Sequence, residues 1–317
     1  MKAIVITADQ HLELVDLPDP VLTAGHVIIR VKAAGINRAD LLQKAGTYPP
    51  PPGWPDWPGL ECAGEIAQAP ENSRWHVGDK VCALLGGGGY AQLASVPEDM
   101  VMPMPKGFSF TEAAAIPETY ATVYLNLVRL AGLKAGDTLF VQAGASGLGI
   151  AAIQLAKIIG ARIVTTVGSD DKAAMVRNLG ADVVINRRKE DVAAVLEKQA
   201  PDVALDCAGG TVLGPCFNTM APGGRWILIA TLGGTEATVD LRVILKKHLH
   251  LIGSTLRSRS DEEKGEILQA LVSLLWPKFE SRALAPVIYQ VFPFEQANEA
   301  HEVLEAQKNS GKVILTF

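Results

Sequence analysis

A glycine-rich turn lies between a strand-like run and a helix-like run in the middle of the chain. Residues 138–143 read TLFVQA, residues 144–149 read GASGLG, and residues 150–157 read IAAIQLAK. This order predicts a buried strand, a tight turn and a helix that together bind a dinucleotide. Glycines let the backbone approach a pyrophosphate, and the helix N-terminus offers N–H groups and the positive end of its dipole. The turn therefore restricts the fold of this region to a nucleotide-binding unit.

Strands and helices alternate around this turn. Helical patterns such as residues 150–159 and 172–179 separate short apolar runs at residues 139–142, 162–167, 182–185, 203–206, 225–229 and 249–253. Short apolar strands alternating with helices are typical of a parallel sheet that is covered on both faces. The turn has GxxGxG spacing rather than the usual GxGxxG, so its place between a strand and a helix carries the prediction. We predict an α/β fold with a doubly wound parallel sheet.

The flanking parts of the chain have a different pattern. Residues up to about 118 are β-rich, with strand-like runs at residues 27–33, 60–67, 80–85 and 90–96. The PPPPG run at residues 49–53 predicts a stiff loop, and the GGGG run at residues 86–89 predicts a flexible turn. Beyond residue 256 we predict a helix, a strand, a second helix and a closing strand, over residues 261–275, 287–292, 294–306 and 311–315. The closing strand is expected to return to the first domain.

Composition excludes several classes of function. The chain has 317 residues and a net charge of −5, and no basic cluster suggests that it binds nucleic acid. No apolar run is long enough to cross a bilayer, and the N-terminus lacks the apolar core of a signal peptide. The four cysteines form no CxxC pair. These features predict a cytoplasmic protein with reduced thiols.

Several short motifs follow one another over essentially the whole chain. Besides the glycine turn they are AGINRADL at residues 34–41, GTYP at 46–49, PGLECAG at 58–64, VGDKV at 77–81, DCAGG at 206–210 and GKV at 311–313. In this order they resemble the medium-chain dehydrogenase/reductase superfamily, and most of all its zeta-crystallin-like quinone oxidoreductases. The resemblance implies a GroES-like β-rich domain, residues 1–118 and 256–317, packed on a Rossmann domain, residues 119–255. It implies an active site in the cleft between them and a homodimer paired through residues 249–252.

Zinc-dependent members of this superfamily hold catalytic zinc with a cysteine and a histidine, and the matching positions here carry Asn37 and Leu60. Zinc sites are built from Cys, His and carboxylate ligands, so Glu61 alone cannot hold the metal. The alternative to a role of Glu61 in the active site is a structural one, in which its charge fixes the local turn. The four-cysteine structural zinc lobe is also absent. We therefore predict an enzyme without metal, whose substrate carries its own electron sink, as quinones and activated enones do.

The residues after the second Rossmann strand bear on cofactor choice. NAD-specific sites have an acidic residue there, whereas this chain has Gly168 and Ser169. Small residues leave room for a 2′-phosphate, to which the Ser169 hydroxyl can donate. Lys172 follows one turn later, and Arg187 replaces a tyrosine that the family usually has, which gives a stronger phosphate partner. This set favours NADPH.

Two aspartates support the opposite choice. Asp170 and Asp171 could accept the ribose hydroxyls of NAD. They lie past the usual acidic position, however, and we expect them to cap the following helix. We therefore predict NADPH as the cofactor.

The resemblance also implies the remaining site residues. It places Asn37 and Tyr48 beside the nicotinamide, where we favour positioning over acid catalysis for Tyr48, since a tyrosine with a pKa near 10 is a modest acid. The alternative is a loop aromatic packed on the prolines. The prolines and Trp54 and Trp57 either cover the cleft or form a stiff surface loop. Further predicted cofactor contacts are Thr122, Gly144, Ala145, Ser146, Gly147, Leu148, Cys207, Ala230, Leu232, Ser254, Leu256 and Lys312.

Three functions remain open from the sequence. The first is an NADPH-dependent quinone reductase acting on a small-molecule substrate. The second is a reductase of 2-enals, enones or enoyl thioesters with the same fold and cofactor. The third is a structural protein that binds NADPH without turnover, since members of this family serve as lens proteins and RNA binders. The acidic net charge weakens the RNA-binding alternative.

Overall fold

The computed structural model describes residues 1–317, which form two compact units. Unit 1 consists of Met1–Ala121 and Arg257–Phe317, and unit 2 consists of Thr122–Leu256. The domain boundaries proposed above, after residues 118 and 255, stay predictions. None of the helices combines the length and the apolar character that crossing a bilayer requires.

Strands and helices are numbered in chain order. The strands are β1 Lys2–Ile6, β2 Leu12–Asp16, β3 His26–Gly35, β4 Glu61–Gln68, β5 Lys80–Leu84, β6 Leu93–Pro97, β7 Val101–Pro103, β8 Thr138–Val141, β9 Arg162–Val167, β10 Val183–Asn186, β11 Val203–Asp206, β12 Arg225–Leu228, β13 His250–Gly253, β14 Ile288–Pro293 and β15 Lys312–Thr316. The α-helices are α1 Arg38–Lys44, α2 Phe110–Ala113, α3 Pro117–Val123, α4 Gly147–Ile159, α5 Asp170–Asn178, α6 Val192–Glu197, α7 Leu213–Phe217, α8 Leu241–Lys247, α9 Asp261–Glu280 and α10 Ala297–Glu305.

Unit 1 is built on a seven-stranded sheet in the order β14-β15-β3-β4-β5-β7, with β6 also paired to β3. Strand β3 is rich in β-branched residues and forms the centre of this sheet. The C-terminal strand β15 runs antiparallel to it, with Ile314 opposite Gly35. This pairing brings the start of β15 beside the residues that follow β3. A core that includes Tyr90, Phe292 and Phe294 lies between the strands and α10.

Unit 2 is a six-stranded parallel sheet in the order β10-β9-β8-β11-β12-β13. Numbered within the unit, this is the order 3-2-1-4-5-6 of a doubly wound dinucleotide-binding fold. The core packs Phe140, Val164 and Ile185 with Phe217 and Trp226. The fold class predicted from the sequence is confirmed. Strand β13 is an edge of the sheet, and the homodimer expected to form through it stays a prediction.

Several element boundaries and one turn were predicted wrongly. Helix α9 runs to Glu280 rather than ending at residue 275. Helix α4 starts at Gly147 rather than at residue 150, because the Ser146 Oγ accepts the N–H of Gly149 at 3.0 Å and caps it. Strand β6 starts at Leu93 rather than at residue 90, where the Tyr90 ring is fully buried. The run of four glycines is no flexible turn, because it is buried and tightly packed. A Cβ on Gly86 would lie 2.6 Å from the Trp54 ring, so only glycine fits there.

A stretch of π-helix, Tyr124–Leu130, follows α3 and had no signal in the sequence. Within it, the Asn126 Nδ2 donates to the Thr122 carbonyl at 2.7 Å, while the Asn126 Oδ1 is buried without a hydrogen-bond partner. π-Helical turns are rare and occur often at functional sites. Thr122, a predicted cofactor contact, thus lies at the start of an unusual backbone conformation.

Candidate functional site

The glycine turn of unit 2 depends on its glycines for close approach. A Cβ on Gly144 would overlap the Thr165 hydroxyl of β9, and one on Gly149 would overlap the Ala143 carbonyl. The turn therefore brings bare backbone to the end of β8. Gly147 and Leu148 form the first turn of α4, where N–H groups have no partner within the helix. This arrangement of N–H groups at a helix N-terminus suits a pyrophosphate.

A cluster of three cations lies where β9 and β10 end. The Arg187 guanidinium packs against Gly168, since a Cβ on that glycine would lie 3.4 Å from Nη2. Burial lowers the pKa of Lys172, and the positive charges of Arg187 and Arg188 lower it further. The three side chains therefore act on one another electrostatically. Like charges held together in this way provide a site for a doubly charged anion.

The neighbouring aspartates do not cap α5 as expected. Ser169 is the N-cap, with its Oγ accepting the Lys172 N–H at 3.4 Å. A hydroxyl that accepts one hydrogen bond can still donate its own proton to a ligand. Asp170 instead accepts from the Asn186 Nδ2 at 2.8 Å and from the Lys189 Nζ at 2.6 Å, and these two hydrogen bonds lower its pKa. Both carboxylate oxygens thus have partners in the protein.

Other predicted contacts in unit 2 follow the carboxyl ends of parallel strands, where nucleotides bind in such sheets. Cys207 follows β11, Ala230 and Leu232 follow β12, and Ser254 and Leu256 follow β13. Leu232 is exposed and Leu256 is buried. The Ser254 Oγ is buried without a hydrogen-bond partner in the protein.

Gln142, which follows β8, was missed by the sequence analysis. Its side-chain Nε2 is likewise buried without a partner in the protein. No sequence signal distinguished it from any polar residue at a strand end. Together with the hydroxyl of Ser254, it leaves hydrogen-bonding capacity unused at this edge of the sheet.

Asn37, one of the two candidate reaction residues of unit 1, contacts a buried ion pair. Glu61 and Lys312 are 0% and 4% exposed, and the Lys312 Nζ donates to the Glu61 Oε1 at 2.5 Å. The same Nζ donates to the Ile36 carbonyl at 2.9 Å and to the Asn37 Oδ1 at 2.7 Å. An ammonium group has three N–H donors, so all three are used within the protein. The cofactor contact expected of Lys312 stays a prediction.

The same ion pair orients the side chain of Asn37. Its Oδ1 accepts from Lys312, while its Nδ2 donates to the Glu61 Oε1 at 2.9 Å. A lysine can only donate and a carboxylate can only accept, so this pair fixes which end of the amide faces which partner. The other carboxylate oxygen of Glu61 accepts the Glu118 N–H at 2.9 Å. A Cβ on Gly35 would overlap Glu61, which explains the glycine before Ile36.

These contacts leave no zinc site at the positions that the superfamily uses. Leu60 is apolar and buried, and Asn37 offers an amide that is already bound at both ends. Glu61 is the one candidate ligand, and it already pairs with the Lys312 cation. No group of three His, Cys, Asp or Glu side chains is arranged so that it could hold a metal ion. The residues present therefore do not fit a zinc ion there.

A second buried network supports the backbone on either side of this pair. Asp40 is fully buried, and its carboxylate accepts the Asn37 N–H at 2.7 Å and the Gly59 N–H at 3.0 Å. The Tyr90 hydroxyl lies 3.3 Å from Asp40 and 3.1 Å from the His301 Nε2. Burial lowers the pKa of His301 to about 3, so its ring is neutral at pH 7. With the proton on Nε2, His301 donates to the Tyr90 hydroxyl and that hydroxyl donates to Asp40, so each donor in this series of hydrogen bonds has an acceptor.

Asp40 gives the folded protein a specific pH dependence. Burial raises its pKa from 3.8 to about 6, because the hydrogen bonds and the charges of Lys312 and Arg257 offset only part of the desolvation. Because the pKa of Asp40 is higher in the folded than in the unfolded protein, its protonation stabilises the fold. This stabilisation is complete below the unfolded-state pKa and is lost as pH rises through about 6. We expect the wild type to lose about 2 kcal/mol between pH 4 and pH 7.5 relative to Asp40→Asn.

Denaturant unfolding of both proteins across this pH range measures the difference. Asparagine at this position disturbs the network at every pH, so the change of the difference with pH is the decisive quantity. Asp16→Asn, at an exposed carboxyl, serves as the control for background titration. A difference that stays constant from pH 4 to pH 7.5 would show that Asp40 does not titrate in this way.

Tyr48 lies in the loop after α1, half-buried. Burial raises the pKa of its phenol, the charge of Glu118 raises it further, and the charge of Arg257 lowers it. The proline-rich segment that follows packs onto the four glycines, with the Trp57 Nε1 donating to the Gly88 carbonyl at 3.1 Å. The segment is therefore a packed loop, and its role as a cover for the cleft stays a prediction.

Comparison with protein families gives two matches. Residues 23–106 match the family described as "Alcohol dehydrogenase GroES-like domain", and residues 147–273 match the family described as "Zinc-binding dehydrogenase". Among curated proteins, the quinone oxidoreductase of Sus scrofa is 31% identical over 307 residues, covering 95% of this chain and 92% of that protein.

Solved structures match over essentially the full length of the chain. The quinone oxidoreductase of Thermus thermophilus, solved alone and with NADPH, has a TM-score of 0.86 at 32% identity and covers 100% of both chains. A structure described as an NAD-dependent alcohol dehydrogenase has a TM-score of 0.88 at 30% identity and covers 100% of both. The CurK enoyl reductase has a TM-score of 0.86 at 25% identity and covers 99% of this chain and 98% of its own.

Proposed function

Because the chain belongs to the zeta-crystallin-like quinone oxidoreductases of the medium-chain dehydrogenase/reductase superfamily, we propose that it transfers hydride from NADPH to a quinone without a metal ion. The observation that carries the proposal is the Glu61–Lys312 ion pair. Glu61 is the one residue there that could bind zinc, and its carboxylate is paired with the ammonium group of Lys312 instead. Without a Lewis acid, a simple alkoxide is poorly stabilised. A quinone spreads the incoming charge over its own conjugated oxygens.

The cofactor is proposed to lie along the carboxyl ends of the strands of unit 2. The N–H groups of Gly147 and Leu148 bind the pyrophosphate, helped by the backbone of Gly144, Ala145 and Ser146. Arg187, Lys172 and Ser169 bind the 2′-phosphate next to Gly168. The hydrogen bonds that Asp170 accepts from Lys189 and Asn186 support NADPH over NADH, because ribose hydroxyls would have to compete with those partners for the carboxylate.

When bound, NADPH supplies a hydride, which is one hydrogen nucleus with two electrons. Addition of that hydride to a quinone gives a hydroquinone anion, and a proton from water completes the hydroquinone. We assign Asn37 and Tyr48 to the nicotinamide and substrate, as the family resemblance implies. Lys312 and Glu61 then keep the amide of Asn37 in one orientation. Lys312 acts through Asn37 in this proposal, since its own donors are used.

A turnover assay with EDTA present tests the proposal. We expect NADPH oxidation, followed by the loss of reduced-nicotinamide absorbance, with ortho- or para-quinones and no loss of rate in EDTA. Reaction with 2-enals or crotonyl-CoA but not with quinones would move the protein to the enoyl reductases, a class represented among the similar structures. Binding of NADPH with no turnover of any substrate would support the structural role instead. Loss of activity in EDTA would contradict the metal-free reaction.

A further inference from the structure

Arg257 binds three separate segments of unit 1 through one buried guanidinium. The residue is 7% exposed. The Nε and Nη2 donate to the Gly86 carbonyl at 2.9 and 2.6 Å, and Nη2 also donates to the Gln43 Oε1 at 2.7 Å. The Nη1 donates to the Tyr48 carbonyl at 3.0 Å. The fork of donors thus ties α1, the Tyr48 loop and the buried glycine run together.

No carboxylate accepts a hydrogen bond from this guanidinium. All its acceptors are neutral, namely two backbone carbonyls and one side-chain amide. Asp40 and Glu118 act on it only as charges at longer range. A buried charge is costly and is normally paired, whereas arginine remains protonated even when burial lowers its pKa. Its positive field is therefore not neutralised by a direct partner.

Tyr48 lies close to this positive charge. The guanidinium carbon of Arg257 lies 5.0 Å from the centroid of the Tyr48 ring, within the range of a cation–π interaction. The hydrogen bond to the Tyr48 carbonyl and the contact with its ring hold the residue at two points. The positive charge also favours release of the phenol proton, against burial and Glu118. A more acidic phenol is a stronger hydrogen-bond donor.

We propose that Arg257 is a positioning residue for hydride transfer, which fixes the Tyr48 ring and strengthens its hydroxyl as a donor to the substrate oxygen that becomes negative. This inference rests on the proposed function, because Tyr48 reaches a substrate only if that function holds. Arg257 transfers no proton and makes no covalent bond. In a site without zinc, the hydroxyl of Tyr48 then provides part of the stabilisation that a Lewis acid would supply.

Three variants separate this role from a purely structural one. Arg257→Gln is expected to lower kcat with a quinone by about tenfold to a hundredfold, with KM and NADPH affinity within about twofold. Arg257→Lys keeps the charge without the fork and is expected to lose less. Arg259→Gln is the matched control, because that arginine forms a partly exposed pair with Glu263 and is expected to retain full kcat. A raised KM with an unchanged kcat would overturn the proposal. If Arg257→Gln does not fold, Arg257→Lys tests the positioning by the fork alone: a kcat lowered by a smaller factor with KM unchanged supports the proposal, and a raised KM with unchanged kcat overturns it.

A double-mutant cycle with Tyr48→Phe tests whether Arg257 acts through the hydroxyl. We expect the factor by which Arg257→Gln lowers kcat to be at least roughly threefold smaller in the Tyr48→Phe protein than in the wild type, because the hydroxyl donor is already absent. Losses in kcat that multiply in the double variant, which means that they are additive in free energy, would overturn the inference.

A readout without substrate separates failure of this inference from failure of the proposed function. Ultraviolet titration, with the Tyr48→Phe spectrum subtracted, reports the pKa of the Tyr48 phenol. Arg257→Gln is expected to raise that pKa, because a nearby positive charge is removed. If the wild type is inactive with quinones but Arg257→Gln raises the Tyr48 pKa, the proposed function fails while the coupling of Arg257 to Tyr48 stands. An unmoved Tyr48 pKa would refute the coupling of Arg257 to Tyr48.

Discussion

Lys312→Met is expected to lower the free energy of unfolding by about 3–5 kcal/mol. Methionine fills a similar volume but leaves the fully buried Glu61 carboxylate without its cation. Removing one partner of a buried pair leaves an uncompensated charge, which costs more than the pair contributes. The same change removes the donor that faces the Asn37 Oδ1, so we also expect activity to fall. Equilibrium unfolding in denaturant measures the loss of stability.

Two further variants identify the cause of that loss. Glu61→Gln combined with Lys312→Met removes both charges, and we expect it to recover more than half of the lost stability. Lys44→Met removes a lysine from a partly exposed pair with Glu305 and is expected to cost less than about 1 kcal/mol. A double variant as unstable as Lys312→Met would attribute the effect to packing rather than to charge.

Arg187→Gln is expected to raise the Kd for NADPH by about tenfold to a hundredfold and to leave the Kd for NADH within about twofold. The guanidinium lies against Gly168 at the end of β9. Its positive charge and that of Arg188 both act on Lys172. A charge-assisted hydrogen bond to a 2′-phosphate is lost in the variant, whereas NADH offers no phosphate at that position. Fluorescence titration with both cofactors, at fixed salt concentration, measures the two constants.

Arg177→Gln is the matched control for this experiment. It removes an exposed arginine from the last turn of α5, at the opposite end of that helix from Ser169, and is expected to leave both constants unchanged. Equal weakening of NADPH and NADH by Arg187→Gln would contradict a phosphate-specific role. It would instead assign that arginine to a part of the nucleotide that both cofactors share.

The strongest local patterns were sufficient for the architecture. The predicted strands at residues 162–167 and 203–206 match β9 and β11, because short β-branched runs between turn residues have few alternatives. The element boundaries that failed depended on side-chain contacts. The start of α4 was missed because the cap made by Ser146 depends on where its hydroxyl points. The buried glycine run was misinterpreted because its partners, Trp54 and Pro55, approach it only in the folded chain.

The sequence alone determined the fold class, the family, the position of the glycine turn and the residue types that replace the zinc ligands, because these depend on local pattern and motif order. Only the tertiary structure decided that Glu61 pairs with Lys312, which lies 251 residues further along the chain. It also decided that Asp170 is engaged by Lys189 and that Arg257 holds Tyr48. These contacts join distant segments, and their strength depends on burial, which no local pattern encodes.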